Sequence, residues 1–284
     1  MSFRAATGGE GEAIAAFLRL YLDQAMFPLS NLTHHGMGRE GRYQMRFWLR
    51  EDGGRIVAAL GLSAMGMVLP VLPGQGEGDL RPLRGLLAGE TVEGIIGPVG
   101  WAEPLQSALG LAEAPVDHRA DEPGFALDLA DLILPVDPSL TLAPLTDAHR
   151  PLALDWRARY REEVMGTPPA RSHAIAVEDI DTYIARDSHR LLISGGRPVA
   201  MTGFNADLPE AVQVGGVYTP PEMRGRGHAR AAVALHLDQA RRTGIRRAVL
   251  FAASDAAARA YTAIGFRPAG RMVMILFPPG TRIA

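Results

Sequence analysis

The stretch that decides the fold is Gly216-Val-Tyr-Thr-Pro-Pro-Glu-Met-Arg-Gly-Arg-Gly-His-Ala-Arg230, written GVYTPPEMRGRGHAR. An apolar run over 211–219 feeds into it, and an alanine-rich helical pattern over 227–242 leaves it. A loop of glycine and arginine between two regular elements is costly in chain entropy. A bound ligand is what offsets such a cost. A helix start exposes unpaired N–H groups and carries partial positive charge. Glycine lets a ligand approach that backbone closely. Arg224, Arg226 and Arg230 add formal charge. Together these features predict a cradle for a diphosphate. Neither common nucleotide loop fits: GxxxxGK[ST] is absent, and GxGxxG needs a third glycine where Arg230 stands.

Working outward, the apolar spacing predicts strands over 140–145, 190–194 and 198–205, the last two around the Gly195-Gly196 turn. A helix is expected over 147–165, with Leu152, Trp156, Tyr160 and Val164 on one face. Downstream lie a strand at 247–253, a helix at 255–264 and a strand at 267–277. The first half repeats this order. It opens with a strand at 3–6 and a helix carrying Ile14, Phe17, Leu18, Tyr21 and Leu22. Strands at 43–49 and 55–62 flank the hairpin signal Glu51-Asp-Gly-Gly54. A strand at 66–72, a helix at 80–88, a strand at 92–96, a helix at 103–109 and a strand at 125–134 complete it. Each half reads β-α-β-β-β-α-β-α-β, an α+β unit on one mostly antiparallel sheet. Pro135-Val-Asp-Pro138 is the expected linker, which divides the chain into 1–136 and 139–284.

The spacing Arg224-x-x-Gly227-x-Ala229 resembles the pyrophosphate motif [Q/R]-x-x-G-x-[G/A] of the GNAT superfamily of N-acetyltransferases. Downstream, Ser254-Asp-Ala-Ala-Ala-Arg-Ala-Tyr261-Thr-Ala-Ile-Gly265-Phe266 resembles the family pattern N-x-x-A-x-x-x-Y-x-x-x-G-F. Ala257, Tyr261, Gly265 and Phe266 match, and Ser254 replaces the usual asparagine. The resemblance covers residues 140–277; in the first half it is one of element order. It implies two GNAT-like domains and acetyl-CoA as cosubstrate, with no metal. Val217, Tyr218 and Thr219 would pair with the pantetheine arm. Arg224, Gly225, Arg226, Gly227, His228 and Ala229 would hold the diphosphate, with Ser254 and Ala257 beside the CoA arm. Tyr261 would protonate the departing thiolate, since a phenol of pKa about 10 can stabilise a thiolate whose acid has pKa about 8.5.

Many family members carry a glutamate base on the fourth strand. Here that strand reads Ala211-Val-Gln213-Val-Gly-Gly216, without a carboxylate. Glu210 and Asp207 before the strand, and Glu162 and Glu163 on the early helix, are the candidates for the acceptor's proton; a site receiving a neutral amine is the alternative. In the first half, Pro73-Gly-Gln75-Gly-Glu77-Gly78-Asp79-Leu80 occupies the matching place. Gln75-x-x-Gly78 fits, but Leu80 replaces a small residue, and Glu77 and Asp79 repel a diphosphate. That half is therefore expected to be a degenerate copy that helps to wall the acceptor pocket.

Composition narrows the remaining choices. The chain has no cysteine, which excludes disulfides, thiolate metal sites and a cysteine nucleophile. Its net charge of −2 gives no reason to expect nucleic acid. No apolar run approaches a membrane span and the helix over 10–23 is too charged for a signal peptide, so a cytoplasmic location is expected. His34-His35 lacks further ligands at metal spacing, and Ser63 and Ser172 lack a nucleophile-elbow context. The leading expectation is transfer of an acetyl group to the amine of a small molecule or peptide. Transfer of a longer acyl group, a CoA-binding sensor without turnover, and an interaction scaffold are the competing readings. The sequence marks neither the acceptor nor an oligomeric state.

Overall fold

The computed structural model describes residues 2–134 and 137–284; Met1 and two residues of the expected linker, Pro135 and Val136, lie outside the described residues. Along the chain come β1 (Arg4–Ala5), α1 (Gly11–Arg19), α2 (Leu22–His35), β2 (Met45–Asp52), β3 (Arg55–Ser63) and β4 (Met67–Val71). Then follow α3 (Glu77–Leu80), α4 (Pro82–Leu86), β5 (Gly94–Pro98), α5 (Val99–Ala108) and β6 (His118–Asp128). The second half supplies β7 (Thr141–Pro144), α6 (Arg150–Met165), α7 (Pro169–Ala185), β8 (His189–Ser194), β9 (Arg197–Asp207) and β10 (Ala211–Tyr218). It ends with α8 (His228–Arg242), β11 (Arg247–Phe251), α9 (Asp255–Thr262) and β12 (Arg267–Leu276).

These elements form two compact units. One runs to Glu122 and takes back Gly270–Ala284; the other is Pro123–Ala269. In the first unit the strand order is β1-β2-β3-β4-β5-β12, antiparallel except for β4 beside β5. Gly53 and Gly54 both take positive φ, 55° and 77°, and turn β2 into β3 as the hairpin signal predicts. Met272↔Pro98 through Leu276↔Gly94 ties the last strand to β5. Val273, Ile275 and Phe277 accordingly pack with Leu60, Leu62, Val68 and Ile95 in that unit's core.

In the second unit the order is β6-β11-β10-β9-β8-β7. Gly195 and Gly196, φ 54° and 73°, make the β8–β9 turn. Phe125, Leu127 and Leu129 pack with Val212, Val214, Val233, Leu237, Leu250 and Phe266. Fully burying side chains of this size is worth roughly 1.5–3 kcal/mol each. The parallel pairing of β10 with β11 covers Ala211↔Arg247, Val212↔Ala248 and Gln213↔Val249. Past Gln213, β10 still has five residues to run, and its register with β9 shifts between Gly215 and Tyr218.

Four features differ from the sequence reading. The compact units do not follow the cut at 136/139: the strand before the linker serves the second unit, and the last strand serves the first. The cause is pairing. Gly124↔Phe251 through Asp128↔Arg247 forms an antiparallel ladder, extended by Leu129 N–H to Arg246 and Ile133 N–H to Ile264. That strand also stops at Asp128, where the carboxylate caps the Ala130 N–H at 3.0 Å and opens a short 3-10 turn. The helix over 10–23 breaks at Leu20-Tyr21 into α1 and α2. Finally, α7 has no counterpart in the sequence reading; its buried stripe is only Ser172, Ala176, Ile180 and Tyr183.

Candidate active site

The loop between β10 and α8 opens with Thr219-Pro220, makes one 3-10 turn over Pro221–Met223 and reaches α8 through Arg224-Gly-Arg-Gly227. Gly225 and Gly227 take φ of 76° and 78°, a conformation that costs a side-chain residue energy. A Cβ on Gly225 would meet nothing within 4 Å, so the backbone there faces open space. Gly227 is the N-cap and has no side chain to satisfy the first N–H groups of α8. Two buried polar atoms at this end lack a partner, Thr219 Oγ1 and His228 Nδ1. Arg226 and Arg230 are exposed. The start of α8 thus brings together two glycines at positive φ, an N-cap without a side chain and the exposed Arg226 and Arg230.

Arg224 is not loose. Its Nε donates to the Thr219 carbonyl at 2.8 Å and its Nη2 to Glu163 Oε2 at 2.5 Å. Glu163 Oε1 accepts from the Tyr218 hydroxyl at 3.1 Å. Burial and the Glu163 carboxylate push the Tyr218 phenol up to about 12. The structure therefore gathers Glu163, Tyr218, Thr219 and Arg224 into one cluster. Glu163 is already engaged there, as counter-ion to Arg224 of the loop that leads into α8.

Glu210 is at the opposite end of β10. Its carbonyl accepts from Arg246 and Arg247 N–H, and eight residues of strand at ~3.3 Å each separate it from Tyr218. That distance removes Glu210 from the loop end of the strand. Asp207 is paired with Arg186, and Glu162 accepts from Ser172 Oγ at 2.5 Å. Gln213 is buried, and its Nε2 donates to the Val214 carbonyl at 2.8 Å. None of these provides a carboxylate beside the open part of β10.

Tyr261 lies in α9, nearly buried, with its ring edge-on to Phe266 at 6.1 Å. It shares a core cluster with Val214, Val217 and Ala257, so it belongs to the neighbourhood of the later part of β10. Gly265 sits at φ 105°, with the Asp131 carbonyl 2.7 Å from where a Cβ would be, which explains the glycine before Phe266. Ser254 acts on its own helix, where its Oγ accepts the Ala257 N–H at 3.2 Å as the α9 N-cap.

The matching loop of the first unit is closed by its own side chains. Arg50 donates to Gln75 at 2.5 Å and pairs with Asp79 at 2.8 Å, while Gln75 donates to the Pro73 carbonyl and Asp79 accepts from Gly76 N–H. Among the described residues no group of three or more histidine, aspartate or glutamate side chains could hold a metal, and no helix is long and apolar enough to cross a membrane.

Residues 153–266, which include the loop, the parted strands and α9, match the acetyltransferase (GNAT) family. The chain carries a GNAT acetyltransferase domain. Solved structures extend the likeness over the whole chain. A GCN5-related N-acetyltransferase from Kribbella flavida is 19% identical, with 97% of this chain and 98% of that one covered and a TM-score of 0.56. A Drosophila protein gives 12% identity, coverage of 97% and 98%, and a TM-score of 0.65. A tandem GNAT protein from the clavulanic acid biosynthesis pathway gives 17%, coverage of 96% and 97%, and 0.51. At these identities the likeness is one of fold: two GNAT-like units in tandem, each an α+β arrangement. The curated proteins provide no match.

One side chain that the sequence reading passes over stands out in the GNAT domain. His189 opens β8 fully buried, and its Nε2 has no hydrogen-bond partner. Its sequence signal is faint: two glycines, Gly203 and Gly216, on strands that only the fold brings alongside.

Proposed function

We propose that this chain moves an acetyl group from acetyl-CoA to a primary amine of a small molecule or peptide. The observation that carries the reading is the loop of residues 224–229. Two glycines at positive φ leave N–H groups open at the start of α8, next to a strand that has just parted from its neighbour. Arg226, Gly225, Gly227, His228, Ala229 and, once released from Glu163, Arg224 would hold the diphosphate. The unpartnered Thr219 Oγ1 and the backbone of Val217 and Tyr218 suit the polar pantetheine arm. When bound, acetyl-CoA supplies the acetyl group as a thioester. Tyr261 would give its phenolic proton to the departing sulfur. The first unit, its matching loop sealed by Arg50, Gln75 and Asp79, would serve as a degenerate partner domain.

Calorimetry with coenzyme A in moderate salt tests the reading. The expected result is saturable uptake that falls at least tenfold in Arg224→Gln/Arg226→Gln, since a charge-assisted hydrogen bond to phosphate is worth about 1.5–3 kcal/mol. No uptake by the unaltered chain, or equal uptake by the variant, rejects it.

A second reading is favoured by Gln213, which stands on β10 where a carboxylate base would be expected. On that reading the chain binds coenzyme A as a sensor and transfers nothing. A panel of primary amines, scored by released thiol, separates the two: turnover supports transfer, and tight binding with no turnover supports the sensor.

A further inference from the structure

We infer that Glu163 and Tyr218 form a site for a cationic group of the acceptor, that Arg224 fills this site in the free protein, and that the cofactor's diphosphate opens it by drawing Arg224 away. The inference rests on the acetyl-transfer reading above and names the acceptor class: a primary amine that also carries a separate, positively charged group.

Glu163 lies in the last turn of α6, the end of the helix that carries partial negative charge. Its Oε1 accepts from the Tyr218 hydroxyl at 3.1 Å, and its Oε2 accepts from Arg224 Nη2 at 2.5 Å. The same guanidinium lies over the Tyr218 ring, with Cζ 5.6 Å from the centroid. A carboxylate beside an aromatic face is the setting in which an organic cation is held. The chain's own arginine fills it as such a cation would. Burial and the Glu163 carboxylate push the Tyr218 phenol up to about 12, so its hydroxyl remains a donor. With Arg224 gone, the Glu163 carboxylate has lost its counter-ion.

Both partners are within reach of solvent: 38% of the Glu163 side chain and 48% of the Arg224 side chain are exposed. The arginines on this part of α6 have carboxylates of their own, Arg159 with Asp155 at 3.1 Å and Arg161 with Asp179 at 2.7 Å. Tyr218 ends β10 and packs with Trp156 of α6, whereas Val217 packs with the core beneath α8 and α9. The site therefore lies on the α6 side of the strand whose backbone suits the pantetheine arm. A molecule anchored there stands beside that arm.

Arg224 belongs to two sites at once. It begins the loop of residues 224–229, where a diphosphate offers its guanidinium more negative charge than one carboxylate does. Glu163 competes with the cofactor for Arg224, and Arg224 competes with the acceptor for Glu163. Cofactor binding ends the second competition. By linkage, coenzyme A and the cation raise each other's affinity by the same factor. The nitrogen that attacks the thioester must be neutral, whereas a carboxylate partner keeps a nitrogen charged. The held group and the attacking amine are therefore different groups of one acceptor.

The probe is agmatine, a primary amine with a guanidinium at its other end. Coenzyme A without an acetyl group serves as the cofactor, so that calorimetry reads binding alone. Agmatine is expected to bind the unaltered chain at least about fivefold more tightly when coenzyme A is present. Arg224→Gln is expected to take agmatine without coenzyme A as well as the unaltered chain does with it. Glu163→Gln is expected to lose agmatine in both conditions. It is also expected to bind coenzyme A about two- to fivefold more tightly, the scale of a half-exposed ion pair. That gain is expected to vanish when the change is made on Arg224→Gln. Agmatine uptake that ignores coenzyme A, or that persists in Glu163→Gln, overturns the inference and leaves acetyl transfer standing. So does a gain in coenzyme A affinity that persists without Arg224, which would be charge repulsion at a distance. Failure of the unaltered chain to bind coenzyme A removes both. If Glu163→Gln does not fold, agmatine uptake by Arg224→Gln still decides.

Discussion

At the scale of single residues, Tyr261 and Glu163 show how far a side chain's role depends on what it touches. Tyr261 is legible because its spacing to Ala257, Gly265 and Phe266 is fixed by one short helix and the turn after it, and such local patterns survive in the linear sequence. Glu163 is legible only as a charge on a helix. Its pairing with Arg224 and Tyr218 joins residues more than fifty positions apart, which no local spacing encodes. His189 is illegible for the same reason, since the two glycines that admit its ring come from β9 and β10. The proton-donor role proposed for Tyr261 has a clean consequence. Tyr261→Phe removes one hydroxyl from a nearly buried ring and leaves its packing on Phe266 intact. We expect turnover to fall about 10²–10⁴-fold, the usual range for removal of a general acid, with coenzyme A affinity unchanged. Steady-state kinetics beside calorimetry check this, and an affinity that falls in step with turnover would assign Tyr261 to binding instead.

At the scale of elements, the second unit keeps two neutral histidines inside, one on β8 and one on α8. His236 stacks on Phe204 of β9 at 3.9 Å, and burial, with Arg190 adding to it, holds its pKa down to about 3. His189 is depressed as well. The sign follows from proton counts. Below about 6.5 the unfolded chain protonates both rings, whereas the folded chain does not. The stability due to the neutral rings is therefore complete above that pH and is lost as pH falls below about 6.5, in the case of His236 down to about 3. Each ring contributes a slope of up to about 1.4 kcal/mol per pH unit. His236→Phe keeps a flat ring against Phe204 and removes one titrating group. We expect denaturant unfolding between pH 6 and 4 to show a shallower loss of stability for the variant, by about one proton's slope. Parallel curves would mean that His236 is protonated in the folded state. The strands and turns framing these rings are readable from sequence, because paired glycines at positive φ and apolar alternation are local signals. Helix α7 is not: between Pro169 and Ala185 its buried positions are few and separated by charged residues, and tertiary packing of Ile180 and Tyr183 supplies what periodicity does not.

At the scale of the whole molecule, chain order and folded units disagree, and the disagreement can be tested. Residues 124–128 and 272–276 are both apolar strands at the end of a repeated element order, so the linear pattern assigns each to its own half. Backbone pairing assigns them the other way, to β11 and to β5. A fragment cut at the proline linker, 139–284, lacks the strand that covers β11, with Phe125, Leu127 and Leu129 of its core. It also carries the final strand without β5, leaving two exposed apolar edges of the kind that aggregate. A fragment cut by pairing, 123–269, keeps the ladder from Gly124↔Phe251 to Asp128↔Arg247 and the complete loop of 224–229. We expect the 123–269 fragment to unfold cooperatively and to take up coenzyme A, and the 139–284 fragment to aggregate or melt without a transition. Circular dichroism melts and calorimetry on the two purified fragments decide it. A cooperative, cofactor-binding 139–284 fragment would show that the second half completes its own sheet, and that Phe125, Leu127 and Leu129 are dispensable to the core they occupy.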